Sequence, residues 1–263
     1  MAFKKPVEIA QAAVAAGKAK TLLSPDKMLL LGFLAGAYIA IGGFLAVIVG
    51  GGVNAETLGV GIQKLLFAGV FPVGLMLVVI AGSELFTGNC LLPPIAKFAG
   101  EADWNGVLKN WVWVYIGNFI GSVFVAYFLA TATGLFGADP WHSYIIKIAE
   151  SKVSLGWWKI LWRSIGCNWL VTLAVWMSLA ADDIIGKIFA IWFPIMAFVG
   201  LGFEHSVANM FFIPAGMFAG ANVSLLQFLF MNLLPATIGN IIAGVVLVAW
   251  VYYYLYLKDA QNK

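Results

Sequence analysis

The chain has 263 residues, of which 62% are hydrophobic and 10% charged, with 29 glycines, 11 tryptophans and a formal net charge of +3. That makeup excludes an ordinary soluble globular domain, and so small a net charge gives no reason to expect a nucleic-acid partner. The chain reads as a protein that crosses a membrane several times.

Residues 6–25, PVEIAQAAVAAGKAKTLLSP, set Val7, Ile9, Val14 and Leu22 among polar and alanine positions. This predicts a helix along the inner membrane surface, ended by Ser24 and Pro25, with a plain cytoplasmic arm as the alternative. The first 26 residues lack the apolar core of a signal peptide, so the first span is expected to be the insertion signal. Uncharged stretches follow over residues 28–55, 65–83, 110–138, 164–181 and 188–203, and no charge occurs from 206 to 257. At about 20 residues per crossing these predict six transmembrane helices. Gly32 and Gly36 of the first span, and the Gly42-Gly43 pair, suit close helix approach in lipid. Cys90 and Cys167 fall at membrane depth and have neither pairing nor zinc spacing, so no metal or other cofactor is expected.

The two halves repeat each other. NWVWVYIGNFIGSVFVAYF from Asn110 matches NLLPATIGNIIAGVVLVAW from Asn232, which could reflect two generic packing faces. SELFTGNCLLPP against FEHSVANMFFIP aligns Glu84 with Glu204, Asn89 with Asn209 and Pro94 with Pro214, and each segment follows a Phe-Pro, at Phe71-Pro72 and Phe193-Pro194. Three crossings per unit place the second unit upside down, so residues 27–134 and 157–257 form inverted repeats within one domain over 1–263. The polar stretches GSELFTGN and FEHSVAN are then matching breaks in spans two and five. Irregular backbone at that depth is tolerated beside protein or a water-lined cavity, which points to a pore between the repeats.

Lys and Arg set the orientation. With both termini inside, the inner segments hold ten (Lys4, Lys5, Lys18, Lys20, Lys27, Lys97, Lys109, Lys187, Lys258, Lys263) and the outer ones five (Lys64, Lys147, Lys152, Lys159, Arg163). His205 is a lone ionisable ring inside a span, able to be neutral or charged near neutral pH. It could line a pore, or it could satisfy a broken helix end. By local pattern alone Thr87 is a turn hydroxyl, Gly88 a turn glycine and Asn168 an interhelical hydrogen bonder. Glu84 and Glu204, the two acids inside spans, could relay protons or act as scaffold.

FEHSVANMFFIP, LFTGN, KNWVWVYIGN, CNWLVTLAVWMS and NLLPATIGN resemble the signatures of the formate/nitrite transporter family, over nearly the whole chain. The resemblance implies pentameric anion channels with an aquaporin-like fold in each protomer, in the cytoplasmic membrane of a prokaryote. It also implies a pore histidine at His205, held by Thr87 and Asn209, that stabilises or protonates a small anion. Thr87, Gly88 and Asn89 would form a mobile gate, Asn168 would bond the anion or that loop, and Glu204, with Glu84, would be scaffold. Apolar constrictions would comprise Phe71, Leu75 and Phe198 on one side of the histidine and Leu85, Phe86 and Val171 on the other. Lys152 would attract anions at the outer vestibule, with Lys159 and Arg163 adding to the field.

An aquaporin needs Asn-Pro-Ala turns, and the chain has none. An intramembrane enzyme using Glu204 and His205 as acid and base lacks a nucleophile elbow, an aspartate pair or a second histidine at metal spacing. Formate, nitrite, hydrosulfide, acetate and lactate remain as substrates, with formate first: GFEHSVANMFFIP leans to formate, IAGSELFTG and CNWLV to nitrite.

Overall fold

A computed structural model describes residues 3–260; Lys263, counted above among the inner cations, lies outside them. Helix α1 is Pro6–Thr21 and α2 is Pro25–Gly51, the first span. After the short α3 (Ala55–Leu58), α4 (Val60–Val70) and α5 (Val73–Ile80) make the second span, bent at Phe71-Pro72 where proline has no N–H to continue the ladder. The chain then re-enters through α6 (Phe86–Asn89) and α7 (Leu92–Phe98). Helix α8 (Trp104–Phe124), continued by a π-helical segment Val125–Thr131, is the third span. The second half follows with α9 (Trp141–Ser154), α10 (Trp157–Ala180), α11 (Ile184–Leu201) and the re-entrant α12 (Ser206–Phe218). Its last span combines π-helical Gln227–Leu233, α13 (Leu234–Ile242), π-helical Ala243–Trp250 and α14 (Val251–Tyr256).

Among the described residues, six helices are long and apolar enough to cross a membrane. The fourth begins at Trp157, a full turn and more before the uncharged stretch at 164, and so takes in Lys159 and Arg163. Long cationic side chains can reach the interface from within a span, which hides such a helix start from a charge count.

Glycine lets the spans touch. A Cβ on Gly36 would lie 2.1 Å from the Asn118 carbonyl oxygen, and one on Gly121 would lie 2.0 Å from that of Phe33. Helices α2 and α8 therefore meet backbone to backbone, where packing replaces the hydrophobic drive that lipid removes.

Helix α1 packs on protein. Its buried side is Ile9, Ala10, Ala13, Gly17 and Thr21, whereas Val7 and Leu22 are exposed. Gly17 sits so tightly on Leu92 of α7 that a Cβ would lie 1.8 Å from the carbonyl oxygen. Helix α9, in a stretch outside both repeats as read from sequence, does the same in the other half: Ala149 and Ile145 are buried against Gly216 of α12. Each half thus consists of a surface helix, three spans and a re-entrant helix held beneath that surface helix.

Candidate functional site

Both breaks use the same backbone device. Gly82 (φ 84°) and Gly202 (φ 73°) take the left-handed conformation that ends α5 and α11. Ser83 N–H then donates to Val78 O and Phe203 N–H to Phe198 O, each at 3.0 Å, which closes the helix ends. Leu85 (φ −103°, ψ 122°) and His205 (φ −106°, ψ 116°) next hold nearly the same extended conformation and start α6 and α12.

Each break is then fixed by a buried acid. Glu84 accepts from Asn89 Nδ2 at 2.7 Å, Asn110 Nδ2 at 3.3 Å and Lys20 Nζ at 2.5 Å. Glu204 accepts from Asn209 Nδ2 at 2.7 Å, Asn232 Nδ2 at 3.3 Å and Lys152 Nζ at 3.0 Å. Asn118 accepts from Phe86 N–H and donates to Gly32 O and Glu84 O, while Asn240 accepts from Ser206 N–H and donates to Ser164 O and Glu204 O. Backbone polar groups freed at membrane depth are costly unless paired, and these two matched sets pair them.

The symmetry stops at the side chains facing each other across the repeats. His205 Nδ1 accepts the backbone N–H of Ala208 at 3.0 Å, capping α12, so the ring proton belongs on Nε2. Nε2 lies 2.9 Å from Thr87 Oγ1. Asn168 Nδ2 donates to Thr87 O at 3.1 Å and to Asn240 O at 2.7 Å, tying the α6 turn to α10 and α13. The His205 ring stacks on Phe198, with centroids 5.7 Å apart.

Two vestibules approach this point. One, of about 400 Å³, has Phe71, Phe198, Phe212 and His205 at its floor and Lys64, Lys147, Lys152 and Arg163 in its walls. The other, of about 460 Å³, is bounded by Leu75, Leu85, Gly88 and Asn89, with Lys20 and Glu84 in its walls. Between them lies a gap lined by Ile39, Phe71, Leu75, Leu85, Val171, Ile195, Phe198 and His205 that has no room for a water molecule. The lining is shared end to end, so the three spaces form one interrupted path. A dry apolar ring of this kind passes a neutral species far more easily than a bare charge.

Residues 7–254 match the sequence profile of the formate/nitrite transporter family. The chain belongs to the formate/nitrite transporter family. It is 51% identical to a probable formate transporter of Methanothermobacter thermautotrophicus, over 98% of each chain. It is 43% identical to a formate channel of Bacillus thuringiensis, over 100% of this chain and 99% of that one. Among solved structures, an ion channel of the family superposes with TM-score 0.86 at 30% identity, over 94% of this chain and 98% of that one. A pentameric formate channel with formate bound superposes with TM-score 0.78 at 32% identity, over 89% and 98%. The family is one of membrane channels and transporters rather than enzymes, and this member is a multi-pass membrane protein with the family fold.

Several expectations need correction against the geometry. Phe86 does not face the path: it packs edge-on against Tyr115 (4.8 Å) and Trp111 (6.0 Å), lining an apolar groove between α8 and the last span. Leu75 borders the Lys20 vestibule with Leu85, whereas Phe71 and Phe198 border the opposite one. Asn209 bonds Glu204 and Asn232, and the contact to the second ring nitrogen of His205 is the Ala208 N–H instead. Thr87 and Asn168 line none of the three spaces, and reach the path only through the hydrogen bond of Thr87 to His205. Gly88 is one residue of the helical turn α6, and Gly82 is the glycine that reverses the chain. Lys152 is paired with Glu204, as Lys20 is with Glu84.

Phe212 was missed; it stacks on Phe71 (6.3 Å) beneath Lys152 and was hidden within the apolar run MFFIP. Lys20, Asn118 and Asn240 were also missed as site residues. The repeated Gly-Asn pairs carried the signal: the glycines do pack, and the asparagines beside them hold the breaks.

Proposed function

We propose that this protein is a formate channel of a prokaryotic cytoplasmic membrane, assembled as a homopentamer with both termini in the cytoplasm. The relatives named for formate and the pentameric structure with formate bound support the substrate and the assembly. The excess of Lys and Arg on the segments assigned to the inside supports the orientation.

One observation carries the mechanism: His205 lines both a cationic vestibule and a dry apolar gap, and its one ring N–H, Nε2, is engaged by Thr87. An anion entering the vestibule loses water at Phe71, Phe198 and Phe212, and the remaining compensation is the hydrogen bond from Nε2. Thr87 holds that proton in the closed arrangement, so a small displacement of the α6 turn releases it to the anion. The histidine keeps its Nε2 proton and hydrogen-bonds its guest, which offsets part of the cost of taking the charge past Leu75, Leu85 and Val171; a guest that crosses as the neutral acid takes its proton from vestibule water. Glu84 and Glu204 act as scaffold, and Asn168 restrains the turn that carries Thr87.

The test is stopped-flow uptake into proteoliposomes, with formate, nitrite, hydrosulfide, acetate and lactate run in one preparation. Formate should enter fastest. Absence of formate flux would overturn the proposal, and faster nitrite or hydrosulfide flux would reassign the substrate within the family.

A further inference from the structure

The α6 turn that carries Thr87 is gripped along one stripe of α8. Asn118 Oδ1 accepts the Phe86 N–H at 2.9 Å, Tyr115 meets the Phe86 ring edge-on at 4.8 Å, and Trp111 Nε1 donates to Asn89 O at 2.9 Å. Positions 111, 115 and 118 fall on one helical face, so a single element holds both ends of the turn. Tyr115 is itself fixed. Thr237 Oγ1 gives its one hydroxyl proton to Leu233 O at 2.7 Å, so in the 2.7 Å contact between Tyr115 and Thr237 the tyrosine hydroxyl is the donor. Beyond these residues lies the groove of about 450 Å³ between α8 and the last span, so restraint on that side comes from the aromatic side chains rather than from a further layer of chain.

The other repeat lacks this grip. The alignment that sets Asn110 on Asn232 and Asn118 on Asn240 puts Leu233 in the place of Trp111 and Thr237 in that of Tyr115. The asparagine contacts are thus duplicated and the aromatic ones are not. The difference follows the backbone: α12 runs unbroken for 13 residues, whereas α6 is a four-residue turn interrupted before α7, with little helix of its own to steady it.

We infer that Trp111 and Tyr115 are positioning residues for the pore: they set how readily the α6 turn lets Thr87 leave His205, and the hydrogen bond from Tyr115 to Thr237 is the latch that keeps the grip closed. The inference rests on the proposed formate channel and adds to its gate residues that lie outside the path. Any shift of the turn drags the Phe86 ring across Tyr115. Formate engages Nε2 only after Thr87 has left it, so the fraction of released turns sets the apparent affinity rather than the flux at saturation.

Y115F keeps the ring and removes the latch. In proteoliposome uptake the half-saturating formate concentration should fall about two- to tenfold, the effect of one neutral hydrogen bond lost from the closed arrangement alone, with saturated flux unchanged. Mere loss of folded protein would instead lower saturated flux and leave half-saturation alone. T237V removes the acceptor of the same bond and should act alike, and Y115F/T237V should add nothing beyond either single change. Hydrogen exchange reads the turn without formate: amides of residues 86–91 should exchange about two- to tenfold faster in Y115F, and those of residues 206–211 at the wild-type rate. Wild-type exchange over 86–91 in both single variants, faster exchange with an unchanged half-saturating concentration, or additive effects in the double variant would overturn the inference. Wild-type protein with no formate flux would instead remove the channel reading, and the exchange comparison would still decide whether the latch holds the turn.

Discussion

Leu85 and His205 hold equivalent places at the starts of the two re-entrant helices, with backbone angles within 6° of each other. One presents an isobutyl group to the dry gap and the other an imidazole. Among the described residues, a fold symmetric in its backbone and in its buried acids thus carries the one polar side chain that lines its dry gap in only one repeat.

That ring should be indispensable. Replacing His205 by Ala removes the one side-chain N–H donor that lines the gap among the described residues. A hydrogen bond to a charged partner contributes about 1.5–3 kcal/mol, so formate flux should fall about 10- to 100-fold at neutral pH. Thr87→Val, which keeps the shape and removes the Oγ1 partner, should change flux and its pH profile, and by leaving the buried Nε2–H unpaired should cost about 1–3 kcal/mol of stability. Wild-type flux in H205A would exclude the ring from transport.

Leu85→Ala and Phe86→Ala should separate pore from packing. Leu85 borders the gap, so its truncation should widen the path and raise permeability to larger weak acids such as lactate. Phe86 packs against Tyr115 and Trp111, so its truncation should cost about 3–5 kcal/mol of stability without altering selectivity. Lactate-to-formate flux ratios and melting temperatures in detergent read the two effects.

The buried ion pairs should matter mainly when broken. Glu204→Ala leaves Lys152 without its carboxylate and takes one acceptor each from Asn209 and Asn232, an expected cost of about 3–5 kcal/mol. Glu204→Gln keeps an acceptor for the asparagines and should cost less. Combining Lys152→Met with Glu204→Gln should recover part of the loss, and strict additivity of the two single changes would argue against the pair.

Glycine substitutions should distinguish the bend from the turn. Ala at Gly82 or Gly202 must adopt positive φ and should destabilise by about 1 kcal/mol or more. Ala at Gly88 meets only Val175 at 3.5 Å, in ordinary helical backbone, and should be tolerated in folding. A collapse of G88A with a normal G82A would reverse the assignment.

Acid should loosen α1. Lys18 lies 2.8 Å from Glu101 and Lys4 lies 2.7 Å from Asp182, and hydrogen bonding followed by charge holds both carboxyls below their ordinary range. A lowered carboxyl favours the docked helix above the ordinary value, and that support is lost as pH falls through the lowered one. Both pairs are exposed, so the effect is modest. Protection of residues 3–24 against hydrogen exchange, taken relative to the intrinsic rate at each pH, should be steady from pH 8 to 5 and fall below about pH 4. Protection that fell on raising the pH would contradict the pairing.

The membrane class, the six spans and the two breaks were legible because each is a local property. A span is a run without charge, and a break is a carboxylate and an asparagine inside such a run, here written twice. Pairing Glu84 with Glu204 and Asn110 with Asn232 required only self-comparison of the chain. What α1 rests on was not legible, because its buried face is Ala10, Ala13 and Gly17, residues chosen for closeness to α7 rather than for hydrophobicity. Nor could sequence tell Leu85 from Phe86, since both are apolar neighbours and only the direction of the α6 turn sends one to the pore and the other to Tyr115. The partners of Lys20 and Lys152 lie 64 and 52 residues away. The sequence by itself therefore determined a symmetric chain that must enclose polar breaks within a membrane, whereas the tertiary structure decided which side chains meet across them, because such contacts depend on helix rotation and close packing that no local pattern encodes.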